Sequence, residues 1–596
     1  MTKNSKKYEW ELTPILKNKS LEQWYGEWKS LQNQILKQKP TFLKSIKNFK
    51  NWIAINKKYG VVANVISVFI SNNLQENLTD KKWIGWEQRK MNDQIKFGAQ
   101  VADITNIYLK HETLIKKYLC DKDLKKYERY FSLVFRDRPH VLNDENETLL
   151  TKISPINSGF GTIFDTLTDT DIKYQDAIDK NKRKIPLKTI SDITINLKHH
   201  DRCLRKSTWI NFNTAFANFE NTLTQTLYFN YLMLNSYAKI RNFNNYVDAV
   251  SFGDEIQTSM ILSLYKNVQT FKPLTEKYHH ATTKIIQNFL SLKKVEPWDR
   301  SVDIVKTNKQ FSIEQAKDIM FDTFKLFGNE YVQIIKKAFT EKWISWLAKQ
   351  NKQTGAYSIG AVEGVTRQFI SMNFNKTIDS IFTLAHELGH SVHANFVLKH
   401  QDIYNEVSIF YAEIPSIVNE TILAYALLDK YKNDKNLCRW ILIELLKNFF
   451  GTVTRQIIFS NTEYDLINLI NNNQPFTKEG IKQIYLQNIK KYTYVKKQHD
   501  KYPYSLSLST ILRIPHFYVG NFYVYKYAIG QIVAIKIATA LYRGDKTMRD
   551  KYFKFLTLGS SLPPLECIKT LGIDVNDPNV YKDVYSIVED WIKQLF

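Results

Sequence analysis

Residues 383–396 read TLAHELGHSVHANF. His386, Glu387 and His390 form the pattern H-E-x-x-H inside an otherwise apolar segment. On an α-helix, residues four apart stack on one face, so the two imidazoles can converge on a single ion. Glu387 sits one residue round, close to that ion without having to ligate it. Two surface histidines on an ordinary helix are the plain alternative, but Leu384, Ala385, Leu388 and Val392 surround the motif. Buried His and Glu side chains need partners, and one Zn²⁺ per chain supplies one. Gly389 inside a helix costs about 1 kcal/mol relative to Ala, which points to another backbone passing close by.

Two histidines and a water leave the ion short of one protein ligand. The longer pattern H-E-x-x-H-x-x-G-x-x-H fails, because His393 stands at its glycine position and Phe396 at its last histidine. A downstream carboxylate is therefore expected. Glu406, Glu413 and Glu420 recur at seven-residue spacing, which would stack all three on nearly one helical face. Environment favours Glu413, in FYAEIPSIV, since an acid among apolar neighbours most needs a cation. Glu406 reads as solvated, and Glu420 as an acceptor orienting a ligand histidine. His393 reads equally as a substrate contact or as packing behind the ligands.

Outward from the motif the chain is mainly helical. SLEQWYGEWKSLQNQILKQ and TDKKWIGWEQRKMNDQIKFGAQVADI show apolar residues at three- and four-residue spacing. Around 355–375 the pattern changes: glycines precede Ile370, Met372 and Phe374 at period two, which reads as a small β-sheet beside the motif helix. Thr377 or Asp379 is the expected N-cap of that helix. The region near Ile185 and the DITINL stretch suggest a local hairpin. The division expected is a helical region over 1–110, a subdomain over 111–195 and a catalytic domain over 196–596.

Composition narrows the function. The 596 residues include 83 Lys and Arg against 59 Asp and Glu, a formal charge of +24, yet the lysines are scattered and no nucleic-acid-binding signature appears. No specific nucleic-acid partner is expected. Cys120, Cys203, Cys438 and Cys567 are far apart and form no C-x-x-C pair, as in a reducing compartment. The amino-terminal MTKNSKKYEWELTP lacks the apolar core of a signal peptide, and the most apolar runs, such as YGVVANVISVFISNN, read as too short to span a bilayer. The expectation is a cytoplasmic protein with no membrane partner. His199, His200, His279 and His280 lie in polar stretches and read as exposed.

FTLAHELGHSVHANF, then SIFYAEIPSIVNE, then RIPHFYVGNFYVYKYA resemble segments of oligoendopeptidase F and its thimet oligopeptidase relatives, in the same order. GAYS at 355–358 and TLGSSLPPLE near the end extend the resemblance over most of residues 200–590. It implies a helical, two-lobed metallopeptidase with a deep substrate channel, and His386, His390 and Glu413 as zinc ligands. It implies an endopeptidase for short peptides, with Glu387 as general base. Taken alone, His516 and the cluster Tyr518, Tyr523, Tyr525 and Tyr527 read as a packed aromatic face. The resemblance instead implies that a His and tyrosines here bind the reacting carbonyl, with His516 and Tyr523 the chosen pair. A helical zinc carboxypeptidase shares much of the motif. A basic binding protein with a structural zinc is the reading from outside enzymology.

Overall fold

The computed structural model describes residues 5–305, 309–495 and 504–595, so the first four residues of the amino-terminal stretch lie outside the described set. The chain is mainly α, and the described residues hold five two-residue strands in two small sheets. Strand β1 (Ala177–Ile178) pairs antiparallel with β2 (Lys184–Ile185). Strands β3 (Ile344–Ser345), β4 (Tyr357–Ser358) and β5 (Ile370–Ser371) form the second sheet in the order β3-β5-β4, the first pair parallel and the second antiparallel. The chain folds into two compact units, each assembled from three segments: 1–145, 309–426 and 537–572 in the first, and 146–308, 427–536 and 573–596 in the second.

The first unit is built on long helices whose starts are written in the sequence. Ser20 and Gln23 form a reciprocal capping box at the head of Leu21–Gln38, and Ser45 caps Ile46–Glu76. Trp24, Trp28, Val62, Val65 and Ile66 pack with Trp10, Val365 and Phe369, which joins these helices to the residues leading into β5. Trp52 and Ile53 belong to a second cluster with Phe42, Phe49 and Phe131. The apolar run at 59–73 is not too short for a bilayer once the rest of its helix is counted. Its helix is 31 residues long, and among the described residues it is the one helix long and apolar enough to cross a membrane. Its buried apolar side chains all belong to the two clusters just named.

Two further expectations change and a third holds in part. DITINL lies in the helix Ile190–Lys198, started by a Thr189–Asp192 capping box, so the hairpin near Ile185 is made with Ala177–Ile178 instead. Thr377 is the N-cap residue of the motif helix, Ile378–His400, as expected, but its hydroxyl donates to Asn375 (2.6 Å) and makes no capping bond. The period-two stretch at 370–374 is a strand for two residues only, although Met372 and Phe374 still donate to the carbonyls of Ser345 and Trp346.

Lys352 fastens this sheet. Its side chain has no solvent exposure, and Nζ donates to the carbonyls of Ser345 (3.2 Å), Leu347 (3.1 Å) and Met372 (2.7 Å) and to Ser345 Oγ (2.8 Å). Glu76, 3.5 Å from the ammonium, supplies the counter-charge, and burial holds the amine below the ordinary lysine range.

In the second unit, Glu220–Ile240 and Arg455–Asn471 are central helices, with Leu223, Leu227, Tyr231 and Leu466 fully buried. Asp299, also fully buried, is held by Arg202 (2.8 Å) and Arg205 (2.7 Å), which gives a buried charge the partners it requires.

Candidate functional site

The motif helix crosses the next helix, Ile414–Lys430, at Gly389. A Cβ placed there would stand 2.6 Å from Ser416 Cα and 2.7 Å from the Pro415 carbonyl oxygen. The glycine is thus required by main chain, as its cost inside a helix suggested. Asn419 donates from Nδ2 to the Ala385 carbonyl (3.0 Å) and accepts from the Tyr331 hydroxyl (2.6 Å), which fixes the crossing.

The close approach brings three donor atoms together. His386 Nε2 lies 3.1 Å from His390 Nε2, and Glu413 Oε2 lies 3.3 Å from the first and 3.4 Å from the second. A tetrahedral ion with bonds of about 2.0–2.1 Å spaces its ligands by about 3.3–3.4 Å, so the three atoms fit a metal. Among the described residues this group of convergent His, Cys, Asp or Glu ligands has three members, which leaves a fourth position open. Ser416 Oγ lies 3.0 Å from Glu413 Oε2 and steadies the carboxylate. Glu420 Oε1 lies 2.5 Å from His386 Nδ1, so the other ring nitrogen of His386 is turned toward Glu413.

The expected stacking of Glu406, Glu413 and Glu420 on one helix face is not what forms. Pro415 lies in the first turn of Ile414–Lys430, where its fixed φ suits a helix start, and only Glu420 lies within the helix. Glu413 is the residue before it, and Glu406 is an exposed loop residue.

Electrostatics follow the geometry. Burial would raise the Glu413 carboxyl, but hydrogen bonds from His386 and His390 outweigh burial and hold it well below the carboxylate range. Burial likewise opposes charge on His386, and the bonds to Glu413 and Glu420 reverse that and raise it. Glu387 is 5% exposed, its Oε2 has no hydrogen-bond partner among the described residues, and burial raises its carboxyl. His393, between packing and substrate contact at the outset, is buried and stacked on Phe555 (5.8 Å), and burial pushes its imidazole down to about 3.

The three-stranded sheet adjoins the motif helix, with Ser358 Oγ 3.0 Å from Ser391 Oγ. Strand β5 has partners on both sides, so the stretch 369–374 cannot take a further strand, and β4 carries an outer edge.

The second polar cluster belongs to the second unit. His516 stands in a single 3-10 turn, Pro515–Phe517, and an irregular loop separates it from the helix Tyr525–Tyr542. The loop brings Tyr523 OH to 3.0 Å from His516 Nδ1 and 3.3 Å from Tyr527 OH. Tyr518 is buried and stacked on Phe164 (4.1 Å), and Tyr525 is buried with its hydroxyl on Asp254, so these two are core. Burial, with Arg455 adding to it, holds the His516 imidazole below its ordinary range.

Ser416, Asn419 and Glu463 were not singled out from the sequence. Glu463 in RQIIFSNTEYDLINLI is flanked by Asn461, Thr462 and Asp465, so the rule that picks Glu413, an acid among apolar neighbours, does not reach it.

Comparison with known proteins shows which family the chain belongs to. A family model described as Peptidase family M3 matches residues 195–586, and one described as Oligopeptidase F matches residues 110–174. An oligoendopeptidase F homolog of Mycoplasma genitalium is 38% identical over 602 residues, covering 99% of this chain and 98% of its own. The oligopeptidase PepF of Bacillus subtilis is 29% identical, covering 81% and 71%. The crystal structure of oligoendopeptidase-F from Enterococcus faecium superimposes with a TM-score of 0.72 at 24% identity, covering 96% of this chain and 98% of that one.

Proposed function

This chain belongs to peptidase family M3 as a metalloendopeptidase of the oligoendopeptidase F kind, and from that premise we propose that it hydrolyses internal bonds of short unstructured peptides with one zinc ion. His386, His390 and Glu413 are the proposed ligands, and the observation that carries the reading is their mutual spacing of 3.1–3.4 Å. Zinc, when bound, lowers the pKa of a water toward about 7 and polarises a carbonyl.

The rest is work for the chain's own residues. Glu387, buried and with Oε2 lacking a hydrogen-bond partner among the described residues, takes the proton of the attacking water and returns it to the departing amine. Glu420 holds His386 in the tautomer that leaves Nε2 for the metal. His516 and Tyr523 are proposed as hydrogen-bond donors to the carbonyl oxygen, supported by their own contact and by the family resemblance. The outer edge of β4 is proposed to pair with the substrate main chain, which favours extended peptides over folded proteins and main chain over side chain. The cytoplasm is the proposed location, supported by four cysteines that no disulfide joins among the described residues. No specific nucleic acid and no membrane is invoked as a partner.

The test is product mapping on a peptide blocked at both ends, with Glu387→Gln as control. Internal cleavage by wild type, zinc retained by the variant, and turnover reduced by several orders of magnitude are the expected results. Turnover near wild type in Glu387→Gln removes the proposed base. Cleavage only of peptides with an open carboxyl end would make the protein a carboxypeptidase.

A further inference from the structure

The contact between His516 and Tyr523 depends on a turn that local preference does not favour. Phe522, directly before Tyr523, has φ +55°, in the left-handed region disfavoured for a residue with a Cβ. Gly520 has φ +72°, and a Cβ there would stand 3.1 Å from Tyr523 Cε1, so the tyrosine ring lies against the glycine. Something outside the loop has to hold this shape.

Glu463, on the helix Arg455–Asn471, is fully buried. Its Oε1 accepts the Phe522 N–H (3.0 Å) and the Tyr231 hydroxyl (3.2 Å), while Oε2 has no hydrogen-bond partner among the described residues. Phe522 itself is buried, so without that acceptor its N–H has no water to turn to.

We propose that Glu463 is the positioning residue for the His516–Tyr523 pair, holding the Phe522 N–H and with it the left-handed turn that lays Tyr523 over Gly520 and against His516. It rests on the reading of His516 and Tyr523 as carbonyl donors. Glu463 touches no substrate and acts through the turn alone. Burial pushes its carboxyl up to about 8, so at neutral pH it is a neutral acid, and an amide of the same shape keeps the acceptor.

The experiment compares zinc-loaded wild type with Glu463→Gln, Glu463→Leu, Tyr523→Phe and the Glu463→Leu/Tyr523→Phe double variant. Glu463→Gln is expected to keep kcat within a few-fold of wild type. Glu463→Leu is expected to lose kcat to the same extent as Tyr523→Phe, about 10²-fold for a lost carbonyl donor, with KM little changed. In the Tyr523→Phe background the leucine should have no further effect on kcat. A merely structural role lowers kcat by the same factor in both backgrounds, and that result overturns the proposal.

A readout independent of activity uses ¹⁵N-histidine-labelled protein, with the His516 Nδ1 resonance assigned by its loss in His516→Ala. Its shift should move in Tyr523→Phe, move likewise in Glu463→Leu, and stay in Glu463→Gln. An unmoved resonance in Glu463→Leu overturns the proposal whatever the substrate. If wild type cleaves no peptide while the resonances behave as stated, the peptidase reading fails and the positioning of the pair stands. Circular dichroism of each variant identifies misfolding, and should the leucine variant misfold, Glu463→Met and the same resonance decide.

Discussion

Replacing Gly389 by Ala separates two opposing effects on one helix. Alanine favours the helix itself by about 1 kcal/mol. The added Cβ, however, would stand 2.6 Å from Ser416 Cα and 2.8 Å from its amide nitrogen, and main chain cannot swing aside as a flexible side chain can. Restoring ordinary contact near 3.4 Å requires the two helices to part by about 0.8 Å at the crossing. Metal sites tolerate about 0.2 Å in bond length, so a shift of this size exceeds what the triad can absorb. Overpacking of this kind costs about 1–3 kcal/mol, and zinc affinity should fall about 10–100-fold, the range for displaced supporting groups. The assay is zinc retained in buffers of graded free zinc, with thermal melting of the zinc-loaded and chelated protein. The loaded variant should melt lower than loaded wild type and the chelated forms should differ less. Wild-type zinc affinity in Gly389→Ala would refute the argument that the crossing sets the site.

Glu413→Ala should lose zinc while Glu406→Ala, in an exposed loop, keeps it; the reverse outcome in a metal assay identifies the wrong carboxylate. Glu463 has a folded-state pKa of about 8 against an ordinary 4.5, so the folded protein binds the extra proton between those values and its stability declines as pH rises through that window. Glu463→Gln removes this term, and melting temperatures should show the variant gaining on wild type between pH 6 and pH 9, with equal gaps at both values counting against it. The formal charge of +24 should raise kcat/KM for acidic peptides over basic ones at low salt, and a matched peptide series should show the preference fading as ionic strength grows. A preference untouched by salt would instead place the selectivity in local contacts.

What the sequence makes legible is what short-range spacing controls. His386 and His390 are four apart on a helix, so their convergence is local, and Gly389 announces a neighbour because nothing inside the helix asks for a glycine. Glu413 is legible through its apolar surroundings. The three glutamates do not share a helix face, because Pro415 starts the helix between the second and the third. The strand at 370–374 is short in its ladder but keeps its period-two hydrogen bonds, so the pattern was right about pairing and silent about which side stays open. Strand order depends on partners more than ten residues away. Glu463 shows the other limit: its role is defined by Phe522 and Tyr231, and no spacing within its own helix points to either.

Lys352 changes how the small sheet should come apart. Two-residue strands offer too few ladder bonds to hold together, and the buried ammonium supplies contacts to both β3 and the end of β5 that further strand residues would otherwise make. These contacts are sealed from water, so added salt leaves them intact. In hydrogen-exchange terms, the amides of Ile370 and Met372 should then exchange only with opening of the whole first unit, without the fraying that strands this short would otherwise show.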